Sequence, residues 1–361
     1  MPSIGRRSSA AASNVCGARS GGAEDGEKSI DCALSRHPTM DSFEDAKKPL
    51  GRGKFGFVYR AKLKQSRKWV ALKLLSKSNL CDSSHQERLN LKREVEIQTK
   101  LSHPNIVRML CSFQDPKWFY LVLDYAAGGD VHKALRLKRT GFSEATAARY
   151  LRDAVSAVAY LHENHVIHRD IKTENLLLDS QGRVKLSDFG WAVHAKPPEY
   201  GVRHTLCGTP EYAAPEMLVF SPAYTSSVDI WSLGVLGYEL LAGRTPFVES
   251  SAGVVAASNV NATSASSSPR DPAGIEADRD LAAEVDAVHS GDPNARLYGR
   301  IVRWKGSMAG LFGEGTPGAD VPEEARDVVS AMLRPCPRER VKAAEVLLLP
   351  WLAGIGVREN V

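Results

Sequence analysis

The sequence predicts an α+β fold in two lobes, a small β-rich one carrying a single important helix and a larger, mainly helical one. Three observations lead there. Two short runs, Trp69-Val-Ala-Leu-Lys-Leu-Leu75 and Phe119-Tyr-Leu-Val-Leu123, have the apolar character of strands. Between them, His85–Leu101 spaces Leu89, Val95, Ile97 and Leu101 among charges, which predicts an amphipathic helix. After Gly128-Gly129 the texture changes, and Ser143–His162, Ser226–Ala242 and Pro322–Leu333 read as longer helices, the first opened by Ser143-Glu144. The boundaries expected are about 43–123 for the small lobe, 124–127 for a hinge and 128–352 for the large lobe. A junction of this kind favours a ligand cleft.

Composition is ordinary for a globular chain of this length: 361 residues, 43% apolar and 25% charged, enough for one large two-lobed domain or two small ones. Lys+Arg number 47 against 42 Asp+Glu, a net charge of +5 spread along the chain. That reads as a mixed solvated surface and does not call for nucleic acid. Cys16, Cys32, Cys81, Cys111, Cys207 and Cys336 are scattered without a CxxC pair, as reduced intracellular thiols would be. The apolar stretch Val346–Val357 contains Pro350 and two glycines and is too short to span a bilayer, so no membrane association is expected. The N-terminus has arginines but no continuous apolar run, so no secretory signal is expected, and Asn261-Ala-Thr263 reads as a coincidental glycosylation sequon.

Residues 1–40 are rich in Ser, Ala and Gly and are expected to be a disordered tail. Residues 250–292 are a low-complexity insertion that holds a Ser/Ala/Asn-rich stretch and then a predicted short helix, Ala277–His289, and 353–361 form a short tail.

The chemistry lies in five ordered motifs. Gly51-Arg-Gly53-Lys-Phe-Gly56-Phe-Val58 is a glycine loop able to close its backbone N–H groups over phosphates. It fits a dinucleotide turn equally well until its context is read: a strand, not a helix, follows it. Val70-Ala-Leu-Lys73 sets a lysine inside an apolar strand about 20 residues further on, suited to α/β-phosphates. Such a lysine needs a carboxylate partner. Glu94 is the candidate, with Glu96 the runner-up facing elsewhere on the helix. His168-Arg169-Asp170-Ile-Lys172-Thr-Glu-Asn175 supplies a base and a metal-binding amide on one loop. Asp188-Phe189-Gly190 supplies a carboxylate for Mg²⁺, and Ala214-Pro215-Glu216 closes the segment that follows.

These motifs resemble the eukaryotic protein kinases over roughly residues 43–352. Within them, Pro49–Gly56, Arg93-Glu-Val-Glu-Ile-Gln98, His103-Pro-Asn-Ile106, Asp188-Phe-Gly-Trp-Ala-Val-His194 and Thr205-Leu-Cys-Gly-Thr209 resemble the Aurora kinases. Trp191 is the most specific of these features. Thr173 departs from the proline that most kinases carry there, and Pro210-Glu211-Tyr212-Ala213-Ala214 is closer to Polo or AGC kinases. An AGC kinase would also continue into a hydrophobic tail, where this chain ends at Val361. A catalytically silent scaffold of the same fold would lack one of Lys73, Asp170, Asn175 or Asp188, and all four are present.

The resemblance implies the bilobal protein-kinase fold and an ATP- and Mg²⁺-dependent serine/threonine kinase acting in mitosis and chromosome segregation. ATP would meet Leu50, Gly51, Gly53, Gly56, Val58, Ala71, Lys73, the gatekeeper Leu123, the hinge residues Asp124 and Ala126, and Leu177. Met109, Gln98, Phe189 and His168 would stack as a spine, or serve simply as core. Asp229 would anchor the catalytic loop, Glu216 would pair with Arg340, and Lys172 and Thr209 would meet Asp170. Asn175 and Asp188 would hold the metal. Thr205 would be the activating phosphosite, bound by Arg93, Arg169 and Arg203, with Thr209 the rival in the same segment. Glu174 and Glu239 would select substrates with basic residues before the Ser/Thr, although Glu239 reads equally well as a solvated helix carboxylate. An activator peptide on the small lobe, a monomeric catalytic domain, and a location in nucleus and cytoplasm, at spindle, centrosome or chromosomes, complete what the resemblance implies.

Overall fold

The computed structural model describes residues 38–46, 49–53, 55–138, 140–195, 208–219, 225–248, 285 and 289–354. They fall into two compact units, one formed by the chain up to Asn79 with Met109–Leu123, the other by Leu80–Arg108 and the chain from Asp124 onward.

The first unit is an antiparallel sheet. Strands β1 (Phe43–Glu44) and β2 (Pro49–Gly53) both pair with β3 (Gly56–Leu63), and β4 (Trp69–Ser76), β6 (Trp118–Asp124) and β5 (Met109–Gln114) follow in that order. Alternation makes its core: Ala61, Leu63, Val70, Leu72, Tyr120 and Val122 point inward with Phe43. Phe113 stacks between Phe43 and Tyr120, with ring centroids 5.8 and 4.5 Å away. The apolar strands expected at Trp69–Leu75 and Phe119–Leu123 are the two that lie side by side in this sheet.

The second unit is helical. After the short α1 (Lys77–Cys81), α2 (His85–Gln98) opens on a capping box in which Ser84 and Glu87 satisfy each other's backbone N–H groups. Ile97 of α2, with Leu101 and Ile106, enters the large core, and Gln98 Nε2 donates to Val107 O at 2.9 Å. This helix, predicted between strands of the small lobe, therefore packs with the second unit. Next come β7 (Gly129–Asp130), α3 (Val131–Lys138) and α4 (Glu144–Glu163), whose alanine- and valine-rich face is buried. Short hairpin strands β8 (Val166–Ile167), β9 (Leu176–Leu178), β10 (Val184–Leu186) and β11 (Val193–His194) carry the loops of interest.

Helix α5 (Pro215–Leu218) precedes α6 (Ser227–Ala242), of which Val228–Leu240 is buried throughout. Such a helix, largely apolar and buried on every side, belongs at the centre of a large core. It ends on Gly243 at φ +76°, where a Cβ would also meet the backbone of Thr140 and Gly141. Helices α7 (Ala295–Arg303), α8 (Ala309–Phe312), α9 (Glu323–Met332), α10 (Ala343–Val346) and α11 (Pro350–Ala353) follow among the described residues of the unit. The tail 1–37 and most of the insertion lie outside the described residues. Val285 and His289, inside the expected insertion, are buried: Val285 joins the large core, and His289 Nε2 lies 3.3 Å from Leu218 O. Packed chain thus reaches back into the segment read as low-complexity.

Candidate active site

The loop His168–Asn175 runs between β8 and β9 and is fixed from α6. Asp229, fully buried, accepts hydrogen bonds from His168 N (2.9 Å), Arg169 N (2.8 Å) and His162 Nε2 (2.9 Å). Burial alone would raise its carboxyl, but the bond and charge of His162 and the backbone donors hold it below the usual carboxylate range. These bonds also stabilise Arg169 at φ +67°, a left-handed conformation costing a non-glycine residue about 1–3 kcal/mol. Arg169 Nε donates to Trp191 O at 2.7 Å.

Asp170 is 5% exposed and ringed by donors. Lys172 Nζ lies 3.0 Å from Oδ2, and Asn175 Nδ2 donates to Oδ2 at 2.9 Å and to the main-chain oxygen at 2.8 Å. Thr209 Oγ1 donates to Oδ1 at 3.3 Å while accepting from Lys172 Nζ at 2.7 Å. Gly208, at φ +92°, must be glycine: a Cβ would stand 2.7 Å from Arg169 O. The bridge expected of Thr209 is therefore in place.

With both amide contacts to Asp170 made by its nitrogen, Asn175 keeps its side-chain oxygen as an acceptor. Ser187 N and Oγ both donate to Asn175 O at 2.9 Å, tying the loop to the residue before Asp188. Asp188 takes φ +62° with its carboxylate exposed, Oδ1 accepting from Gly190 N at 3.2 Å. A carboxylate and an amide oxygen are the hard donors Mg²⁺ takes, so this pair fits the ion. Phe189 is fully buried edge-on to His168, centroids 5.0 Å apart.

Glu94 is buried on α2, and its Oε2 lies 3.8 Å from where a Cβ on Gly190 would stand. Glu96, the runner-up, is half-exposed and pairs with Lys100 at 3.3 Å. That separates the two glutamates. Arg93 Nη1 donates to Asn90 Oδ1 at 3.4 Å. Thr205 and Arg203 lie outside the described residues.

Of the expected ATP contacts, several belong to the sheet. Gly51 pairs with Val58 and Gly53 with Gly56 in the β2–β3 hairpin, Leu50 is exposed, and Val58 registers with Lys73 on β4. Ala71 is buried and Leu123 pairs with Met109. A Cβ on Gly56 would lie 1.8 Å from Leu74 O, whereas one on Gly51 or Gly53 would meet nothing within 4 Å among the described residues. Gly56 is thus demanded by packing; the other two are not. In the second unit, Asp124 N donates to Arg108 O at 3.0 Å, Ala126 is half-buried, and Leu177 projects between the buried Leu176 and Leu178.

Glu174 has a 45% exposed side chain, its Oε1 3.9 Å from His132 Nδ1. Glu239 is buried, which excludes the solvated reading: Tyr212 OH donates to its Oε2, and Thr173 Oγ1 lies 3.4 Å from its Oε1. Burial pushes the Glu239 carboxyl up to about 7; the Tyr212 bond opposes the rise and the charges of Glu174 and Glu211 add to it. Glu216 and Arg340 form a buried bidentate pair at 2.6 and 2.8 Å.

Sequence reasoning passed over His162 and Tyr212. His162 had a signal, a histidine closing a helix six residues before His168; Tyr212 stood in a stretch read only for kinship.

The chain matches the protein kinase domain family over residues 45–352. It is 51% identical over 215 residues to serine/threonine-protein kinase Aurora-1 of Arabidopsis thaliana, covering 60% of this chain and 70% of that protein. To an Aurora kinase of Schizosaccharomyces pombe it is 39% identical over 305 residues, 84% of this chain and 70% of the relative. To mouse (Mus musculus) Aurora kinase C it is 37% identical over 317 residues, 88% and 94% respectively. The chain therefore belongs to the protein kinases and, within them, to the Aurora family of serine/threonine kinases.

Proposed function

We propose that this kinase transfers the γ-phosphoryl group of Mg·ATP to Ser/Thr hydroxyls of proteins with Asp170 as the residue that orients and deprotonates the hydroxyl. The single observation that carries this reading is the ring of donors around Asp170: Lys172, Asn175 and Thr209 hold both its oxygens in one orientation. Bound Mg·ATP supplies the phosphoryl group and the charge neutralisation it needs. Asp170 accepts the substrate hydroxyl's hydrogen bond and takes its proton as the new O–P bond forms and the bond to the leaving ADP oxygen breaks. Lys172 and Thr209 keep Asp170 from swinging away and offset charge beside it, so the loop contributes positioning and electrostatics.

Asn175 and Asp188 would hold Mg²⁺. Lys73, fixed by Glu94, would hold the α/β-phosphates, with Gly51, Gly53 and Gly56 above them. Leu50, Val58, Ala71, Leu123, Asp124, Ala126 and Leu177 would enclose the adenine. Gly51 and Gly53 support this, since no contact among the described residues requires glycine there. Thr205, once phosphorylated, would be gripped by Arg93, Arg169 and Arg203. Substrates would carry basic residues before the target, met by the exposed Glu174, with Glu239 buried behind it under Tyr212 and adding its charge. An activator peptide on the β-rich unit, a monomeric catalytic domain, a mitotic role and a place at spindle, centrosome or chromosomes follow from the Aurora resemblance. Among the described residues no helix is long and apolar enough to cross a membrane.

The test is phosphotransfer from labelled ATP to a serine peptide with an upstream arginine, with and without Mg²⁺. Transfer that needs Mg²⁺ and disappears in Asp188→Ala supports the reading; undiminished transfer in that variant overturns it.

A further inference from the structure

Thr173 stands at the start of the 3₁₀ turn Thr173–Asn175, three residues after Asp170, and is fully buried. Its backbone N–H points to Tyr212 OH at 3.4 Å. Its hydroxyl lies 3.5 Å from that same phenol, 3.4 Å from Glu239 Oε1, 3.4 Å from Glu174 Oε2 and 3.2 Å from His132 Nδ1. Four polar groups from three other elements and its own loop thus converge on one side chain.

We propose that Thr173 is a positioning residue for the protein substrate: it clasps the Pro210–Tyr212 turn to the catalytic loop beside the Thr209 contact. This rests on the reading of Asp170 as the proton acceptor. A peptide whose hydroxyl reaches Asp170 must run its neighbouring residues, about 3.5 Å apart, along the chain that flanks Asp170. On this unit that chain is the 208–213 segment, which Thr209 ties to Asp170 and Tyr212 ties to Thr173. Without the second tie, the side-chain bonds that hold the turn to the catalytic loop among the described residues are those of Thr209.

The direction of the bonds makes the clasp sensitive to protons. Tyr212 gives its proton to Glu239, so its oxygen is free to accept from Thr173 N–H. That order holds while Glu239 is a carboxylate. Protonated, Glu239 becomes a donor and competes for the phenol oxygen. Glu239 is faced by Thr173 and Glu174 from the catalytic loop and by Glu211 and Tyr212 from the turn; His132 of α3 reaches it through Thr173. The Thr173 bond is one of the influences that keep the Glu239 carboxyl from rising further.

Three variants test the idea in the full chain. Thr173→Val keeps shape and N–H but removes the hydroxyl. Thr173→Pro removes both, and the extended Lys172 before it (φ −163°, ψ 165°) is what proline tolerates. Thr173→Ser keeps both. For the arginine-containing serine peptide, wild-type KM should fall as pH rises through about 7. In Thr173→Val and Thr173→Pro peptide KM should rise about fivefold, at least three times more than kcat changes; Thr173→Ser should behave as wild type. The inflection of the pH profile should move upward in Thr173→Val. Peptide KM and inflection unmoved in both variants, or losses in kcat and KM that only track a lowered Tm, would overturn the proposal. Its failure is distinct from that of the Asp170 assignment, which the Asp170 and Asp188 variants report separately.

Discussion

Asn175 Nδ2 donates to Asp170 twice, to Oδ2 at 2.9 Å and to the main-chain oxygen at 2.8 Å, so the metal-binding candidate and the base candidate are fixed by one amide. Asp170→Asn would keep the size of the side chain, the main-chain oxygen and one side-chain oxygen. The variant should fold with a Tm close to wild type yet lose phosphotransfer by about 10²–10⁴-fold, the range of a lost general base. Single-turnover assays with thermal melts check both halves. More than a tenth of wild-type turnover would remove Asp170 from its role.

Glu239 offers a stability test with a definite sign. Its carboxyl is raised to about 7 from an ordinary 4.5, so the native state favours the protonated form. Below about pH 4.5 native and unfolded chains are both protonated there and no cost arises. Between 4.5 and 7 only the unfolded chain ionises, and the fold loses stability as pH rises, reaching its full loss above 7. Glu239→Gln, which still accepts from Tyr212, should therefore stabilise the protein by about 1–3 kcal/mol at pH 8 and hardly at all at pH 5. Denaturant melts at the two values would show it; equal effects at both would contradict the titration.

The buried pair Glu216–Arg340 predicts an opposite kind of result. Arg340 also donates to Arg334 O, Ser227 O and Pro335 O, and its guanidinium lies 5.1 Å from the Trp231 ring. Removing either partner leaves an uncompensated buried charge, costing about 3–5 kcal/mol. Arg340→Ala and Glu216→Ala should each lower the unfolding midpoint sharply, and the double variant should cost much less than the two together. Additive losses would mean that the pair is not the source.

Much of this architecture was legible because local pattern and chemistry coincided. The strands around Lys73 and Leu123 and the loop of Asp170 announce themselves by spacing and form as read; the helix of Glu94 also forms, but it packs with the second unit. What could not be read was long-range partnership. Nothing near Glu239 shows that Tyr212, 27 residues away, closes over it and denies it to solvent. Glu94 and Glu96 differ only in which side of α2 meets a core built partly from residues beyond 130. Val285 and His289 hide in a stretch whose composition suggests no core at all, because two anchoring residues do not change an average.

The glycine loop gives the last prediction, since its three glycines have different reasons to be glycine. Strand β3 passes so close to β4 at Gly56 that a Cβ would sit 1.8 Å from Leu74 O and 2.9 Å from Leu74 C, and backbone cannot step aside as a side chain can. Gly56→Ala should therefore disturb the β3–β4 register, in which Gly56 faces Leu75 and Val58 faces Lys73, and cost about 1–3 kcal/mol of stability. At Gly51 and Gly53 a Cβ meets nothing within 4 Å among the described residues, and neither is held in the left-handed region. Alanine there should change stability by no more than about 0.5 kcal/mol, as at an ordinary surface position. If those two glycines let the backbone approach phosphates, the methyl group intrudes only when nucleotide binds. Gly53→Ala should then raise KM for ATP severalfold with an unaltered melt in the absence of nucleotide. Gly56→Ala should lower the melt whether or not nucleotide is present. A Gly53→Ala variant with wild-type KM for ATP would leave that glycine without a nucleotide role, and a Gly56→Ala variant with a wild-type melt would contradict the close approach of β3 to β4.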